Sequence, residues 1–308
     1  MENESICVIG VSSIDLHINV QEKLKREESI PGKIQFRPGG VGRNIVSGLA
    51  ALKVRASFIS NFANSIFCDV LLHSMNEEYI DYTMSMFESK EVSFYCDLIT
   101  ENEMYGINDM KSIEELSIPF FESKISILNS MDYIVFDLNM NQSVFEYIVD
   151  HTNAKIVCDA TSVLKCKKIS NRFNHIFLLK ANYYEALELA GNGEENLSCD
   201  ILADRLLQKG IRQVYITIGE QGVFYASSQE RMQVKRLETL KTQNTSGAGD
   251  VFLAAVLYGL MNQWDQIELL SFAVNLSFYY IAEGKYRVTE DVIRKANESK
   301  QDELSIHR

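Results

Sequence analysis

Short apolar runs alternate with longer amphipathic stretches along most of the 308 residues. Segments 5–10, 133–137, 155–159 and 176–179 are each four to six residues long and dominated by Ile, Val, Leu, Phe and Cys, and 55–60 reads as a further short strand. Runs that short and apolar suit strands buried on both faces of a sheet. Between them, 41–52, 65–76, 251–262 and 265–282 carry apolar residues at helical spacing, and a short last helix starts at 290. This βα alternation predicts an α/β fold, a doubly wound and mostly parallel sheet with helices on both faces. Segment 214–225 reads as strand, glycine turn, strand, and 231–236 as a further edge strand. The texture changes over 79–110, where 92–99 and 103–110 alternate like antiparallel strands exposed on one face. Together with 14–20 and 31–37 they predict a small β lid, built from insertions at about 14–37 and 79–110 in a single domain, 1–308. Residues 21–29 read as a solvated charged connection, and the polar tail 299–308 as loose chain.

The stretch with the most chemistry is Asn244-Thr245-Ser246-Gly247-Ala248-Gly249-Asp250, which runs straight into an apolar helix. The first amides of a helix lack intrahelical partners and sit at the positive end of its dipole. Gly247 and Gly249 let an anion come close to them. A carboxylate at 250 would repel an anion that merely binds there. It fits a phosphoryl group that is to be attacked, with Asp250 taking the proton of the attacking hydroxyl. Read alone, the same turn is equally an ordinary N-cap with an acidic first turn.

Other polar residues fall just beyond strand ends, where open α/β sheets hold ligands. They are Ser13 and Asp15 after the first strand, then Asp137, Asn139, Asp159, Asn182 and Glu185. Singly, each reads as well as a cap or loop residue. The cluster Pro38-Gly39-Gly40-Val41-Gly42-Arg43-Asn44 opens a helix and fits neither common nucleotide-loop pattern. Its adjacent glycines let backbone approach a polyhydroxylated ligand, and the Asn44 amide both donates and accepts.

Composition narrows the classes. The chain is 46% hydrophobic and 23% charged, which is globular, and its net charge of −12 is wrong for a nucleic-acid or anionic-membrane surface. Six cysteines without a CxxC pair imply reduced thiols. No leader pattern opens the chain and no apolar run nears the roughly 18 residues of a membrane span, so a cytoplasmic protein is expected. The five histidines stand singly and receive no role.

The GGVGRN cluster and the NTSGAGD turn, in this order and separation, resemble the ribokinase-like (pfkB) family of carbohydrate and nucleoside kinases over nearly the whole length. The resemblance implies transfer of the ATP γ-phosphoryl group to a primary hydroxyl, with Mg²⁺, under a β lid that often forms a homodimer. Position by position it implies Asp250 as catalytic base and Gly247, Ala248 and Gly249 as the anion hole. Asn182 and Glu185 match an NxxE motif that places Mg²⁺ and phosphates, Glu185 on the metal side. Thr217, Gly219 and Gly222 match a TxGxxG turn over the nucleotide, with Ser246 and Asn275 as further nucleotide contacts. Ser13, Asp15, Gly39, Gly40 and Asn44 match acceptor-binding positions, with Asp109 and Asn139 completing that set. Asn244 stands where the family mostly has Asp, which puts its monovalent-cation (K⁺) site in question here.

Within the family, the pseudouridine-kinase branch is the most similar. Pro38–Asn44, the lid end Ile107-Asn108-Asp109-Met110, Asn139 and the DATSVLK stretch (159–165) carry that likeness. The expected reaction is therefore phosphorylation of the 5′-hydroxyl of pseudouridine. Ribose, fructose, adenosine or another nucleoside is the alternative acceptor, and a non-catalytic nucleotide-binding regulator the alternative class. A dinucleotide oxidoreductase is disfavoured by the lack of GxGxxG after the first strand.

Overall fold

The apolar runs become strands because only a sheet covered on both faces hides so many adjacent apolar side chains. The structure, a computed structural model, describes residues 4–20, 24, 27–100, 103–240, 245–284, 287–299 and 303–307. In chain order its strands are β1 (Ile6–Ile9), β2 (Ser13–Asn19), β3 (Lys33–Gly39), β4 (Ala56–Ile59), β5 (Asn61–Ala63), β6 (Ile80–Asp81), β7 (Met86–Ser89) and β8 (Phe94–Ile99). Then follow β9 (Met104–Asp109), β10 (Tyr133–Asp137), β11 (Lys155–Asp159), β12 (Ile176–Asn182), β13 (Gln213–Thr217), β14 (Val223–Ser227), β15 (Arg231–Arg236) and β16 (Leu304–His307).

Ten of them form one sheet in the order β16-β15-β14-β13-β12-β11-β10-β1-β4-β6. It is parallel from β6 to β13 and antiparallel from β13 to β16. Side-chain alternation divides the core. Ile6, Val8, Val135, Val157, Leu178 and Tyr215 face one layer, with the helices Val41–Ala51, Ala248–Met261, Gln266–Glu283 and Glu290–Glu298. Cys7, Ile9, Ile134, Phe136, Cys158 and Ile216 face the other, with Gln142–His151, Tyr183–Ala190 and Cys199–Gln208. The chain leaves β1 for β4 on one side and returns to β10 on the other, so a crevice opens at the carboxyl end of β1.

A second sheet, β3-β2-β8-β9, stands apart from the first. It draws on less of 79–110 than the alternation suggested. Ile80–Asp81 pairs with β4 as the edge of the large sheet, and Met86–Ser89 pairs with β5. The tail also departs from expectation: β16 runs antiparallel to β15, and Leu304 is buried against the core. Two apolar residues suffice there because a ready-made strand edge receives them.

Candidate active site

The site grows from the contact between two helices. A Cβ on Gly48 would stand 2.7 Å from the Cβ of Ala254, so Val41–Ala51 and Ala248–Met261 approach closely at that point. One turn earlier on each, Asn44 and Asp250 meet, and Asn44 Nδ2 donates to Asp250 Oδ2 at 2.8 Å. Asp250 is thereby tied to the Val41–Ala51 helix. Gly247 caps the helix at φ +80°, and a side chain there would collide with the Tyr280 hydroxyl, 2.5 Å from the Cβ position. The Ala248 amide is used by the Thr245 carbonyl. Those of Gly249 and Asp250 have no backbone acceptor among the described residues. Amides left open at a helix start can receive an anion. Ser246 is exposed beside them, and its carbonyl accepts from the Tyr280 hydroxyl at 3.3 Å.

Burial, followed by the charge of Asp159, pushes the Asp250 carboxyl up to about 8, against the opposing pull of Lys180 and the Asn44 hydrogen bond. A carboxyl near the pH of use can accept a proton and be recharged. Lys180 Nζ sits on the same spot, 2.6 Å from where a Cβ on Gly249 would be, and donates to Asp159 Oδ2 at 2.9 Å. Burial works to discharge this ammonium, but Asp159, Asp250 and Glu185 outweigh it and raise its pKa.

The residues expected to meet the acceptor lie at the start of β2 and the end of β3, beside the end of β10. Ser13 Oγ donates to Asp15 Oδ1 at 2.8 Å, and burial raises the Asp15 carboxyl to about 6. Gly39 lies directly against that carboxylate. Gly40, at φ +97°, leaves no space for a Cβ beside the Val11 carbonyl, so the loop passes only with glycine there. Asp137 ties these pieces together. Its Oδ2 accepts from the amides of Val11 (2.7 Å) and Gly42 (2.8 Å), and its Oδ1 from the amide and the side chain of Asn139 (both 3.0 Å). Fully buried, it fixes the turn toward Asp15 and the start of the Asn44 helix without facing a cavity.

The residues expected to meet the nucleotide lie at the ends of β12 and β13. Asn182 and Glu185 form a capping box: Asn182 Oδ1 accepts from the Glu185 amide at 3.0 Å, and Glu185 Oε2 from the Asn182 amide at 2.7 Å. Thr217 pairs in register with Asn182, and Gly219 and Gly222 flank the turn that follows.

Two assigned residues are engaged in other contacts. Asn275 is buried with its Oδ1 accepting from Arg236 at 2.7 Å, so that amide is engaged by β15. Asp109 lies on the outer row of the small sheet beside Phe94, bonded to Lys111. By the period of two, its neighbour Asn108 takes the row of Tyr95 and Asp15. Asn244 lies outside the described residues, and so does its bearing on a monovalent cation. Reading the chain alone assigned no role to Lys180 or Lys165 and undervalued Asp137. The available signal was a charge embedded in or bordering an apolar strand, a placement that needs a partner.

Against known proteins, the model of the pfkB family carbohydrate kinases matches residues 3–284. Pseudouridine kinase of Escherichia coli K12 is 29% identical over 285 residues, 90% of this chain and 88% of that one. Ribokinase of Staphylococcus aureus is 22% identical over 274 residues, covering 85% of this chain and 88% of its own. The solved ribokinase of Thermotoga maritima superimposes with a TM-score of 0.84 at 18% identity, covering 96% of this chain and 100% of that one. The Arabidopsis thaliana ribokinase complexed with ribose and ATP gives 0.78 at 15% identity, covering 96% and 99%.

Proposed function

The chain belongs to the pfkB family of carbohydrate kinases, and from that premise we propose that it transfers the γ-phosphoryl group of ATP to the 5′-hydroxyl of pseudouridine. It is a phosphotransferase with an alcohol acceptor. The acceptor lies with its ribose hydroxyls on Asp15 and Asn44, beneath the small sheet. Asp250 takes the proton as the 5′-oxygen attacks in line, and the Gly249 and Asp250 amides receive the charge on the phosphoryl oxygens. Lys180 adds a fixed cation beside them. Glu185 and the phosphates would hold Mg²⁺; one hard carboxylate with phosphate and water oxygens suits that ion, which supplies charge neutralisation on the phosphates. Thr217, Gly219 and Gly222 border the nucleotide. Six unbonded cysteines support a reducing, cytoplasmic setting. Among the described residues, no helix is long and apolar enough to cross a membrane.

The observation that favours a nucleoside is the two-sidedness of the small sheet. Register places Asp15, Arg37, Tyr95 and Asn108 in one row and His17, Gln35 and Asp97 in the next, all on the face that carries Asp15. These rows extend the polar lining of the sheet beyond Asp15, which favours an acceptor with a polar base on its ribose; within them His17 pairs with Asp97 and Arg37 with Gln35. The kinase named above as 29% identical supports the choice of base. Phosphoryl transfer to pseudouridine, uridine, adenosine, ribose and fructose is the test. The expected result is a kcat/KM for pseudouridine that exceeds the others. Ribose or adenosine in first place would overturn the assignment.

The opposite face of the same sheet is apolar and uncovered, with Ile34, Phe36, Tyr105 and Ile107 exposed by 66, 60, 48 and 68%. We assign it to a second copy of the chain, since a single-chain surface rarely leaves such a face to water. Sedimentation should give a dimer, and Phe36→Glu with Ile107→Lys a monomer. A monomeric wild type would reject this interface.

A further inference from the structure

We propose that Lys165 is a positioning residue that latches the small sheet onto the strand ends of the large one, through Asn108 on one side and Asn139 on the other. Its Nζ donates to Asn108 Oδ1 at 3.2 Å and also to Asn139 Oδ1. Asn108 belongs to β9, the edge strand of the small sheet, whose residues are exposed along its whole length. Among the described residues, the Lys165 contact is the one hydrogen bond from β9 to the strand-end loops of the large sheet. Asn139 is buried and holds Asp137, which holds the amides of Val11 and Gly42. Gly42 starts the helix that carries Asn44 to Asp250. One chain of contacts therefore runs from the rim of the small sheet to the carboxylate at residue 250.

The chemistry of the joint suits a latch. Both partners of the ammonium are neutral amide carbonyls, and no ion pair holds it among the described residues. Its half-buried position works to lower its pKa, with Asp137 and Glu114 pulling the other way. A charge-assisted bond to a neutral acceptor is firmer than one between neutral groups, yet it breaks without leaving an unpaired carboxylate behind. That is the behaviour needed of a contact made and broken each time an acceptor enters and a product leaves.

This inference rests on the phosphotransferase reading and not on the choice of acceptor, so it is measured with whichever acceptor the panel ranks first. Ribose in first place would sink the pseudouridine assignment and leave the latch standing. Lys165→Met, Asn108→Ala and the double variant are compared for acceptor kcat/KM, ATP KM and hydrogen exchange over residues 94–109. Each single change should lower acceptor kcat/KM by about 10- to 100-fold, mainly through KM, as a loosened lid misplaces the acceptor. The double variant should lose no more than the worse single one, since both break the same bond. ATP KM should stay near that of the wild type, exchange in 94–109 should quicken, and Lys165→Arg should recover part of the loss. Multiplicative losses, an unchanged acceptor KM, or a parallel rise in ATP KM would overturn the latch. Should Lys165→Met not fold, Asn108→Ala at its exposed position decides alone, and full activity in it overturns the inference.

Discussion

Asp250→Asn should fold, bind ATP near wild-type strength and turn over about 10²–10⁴-fold more slowly, the usual cost of losing a general base. The asparagine keeps the shape and a hydrogen-bonding oxygen for Asn44, which donates to Oδ2 in the wild type. It cannot take a proton. The flanking amides and Lys180 stay in place, so phosphate binding should survive. Stability should move the other way. The folded carboxyl titrates near 8, well above the unfolded value of about 3.9. A group raised in this way favours the folded state fully below the unfolded pKa and loses that contribution as pH climbs to the folded one. The melting temperature of the variant should therefore gain on that of the wild type between about pH 4 and pH 8 and hold its lead above. Wild-type turnover in Asp250→Asn would remove residue 250 from the chemistry.

Lys180→Met should be the most damaging change to the fold of the site. Its ammonium is the cation between Asp159, at 2.9 Å, and the carboxylates of Asp250 and Glu185. Removing one partner of a buried ion pair costs about 3–5 kcal/mol, because the remaining charge is left without compensation. Denaturant unfolding measures that loss directly. The same substitution takes away a group that holds the Asp250 pKa down, so the pH at which Asp250 ionises should rise. Activity at neutral pH would then fall twice over, through lost neutralisation of the phosphates and through a base protonated more of the time. A variant as stable as the wild type, with the same pH dependence, would show that Lys180 is a bystander.

The parts of the fold written in local pattern are legible in the sequence. The strands 133–137 and 155–159 were visible as apolar runs, and the 248–261 helix from glycines followed by unbroken apolar residues. What stayed hidden depends on partners far along the chain. The tail becomes β16 only because β15 offers an edge some seventy residues earlier, and 80–81 leaves the lid for β4 by the same kind of long-range pairing. Within the site, Asp250, Asn44 and Asp15 carried local signatures, in glycine turns and strand ends. Asp137 looked like one more strand-end carboxylate. Its role is set by two amides 126 and 95 positions away, which no local pattern reveals. Asn275 followed a resemblance, yet its amide is engaged by an arginine 39 positions earlier. Asp109 was the residue assigned, and it shares a row with Phe94 while Asn108 shares one with Tyr95, a distinction that only the strand register makes.

The most direct measurement is kcat/KM for the acceptor against pH, at saturating MgATP, on the wild type and Asp250→Asn side by side. If residue 250 deprotonates the hydroxyl, the wild type should climb with unit slope and level off near pH 8, while the variant lies far below with that limb gone. The same limb in both proteins would place the titrating base elsewhere and contradict the assignment of Asp250.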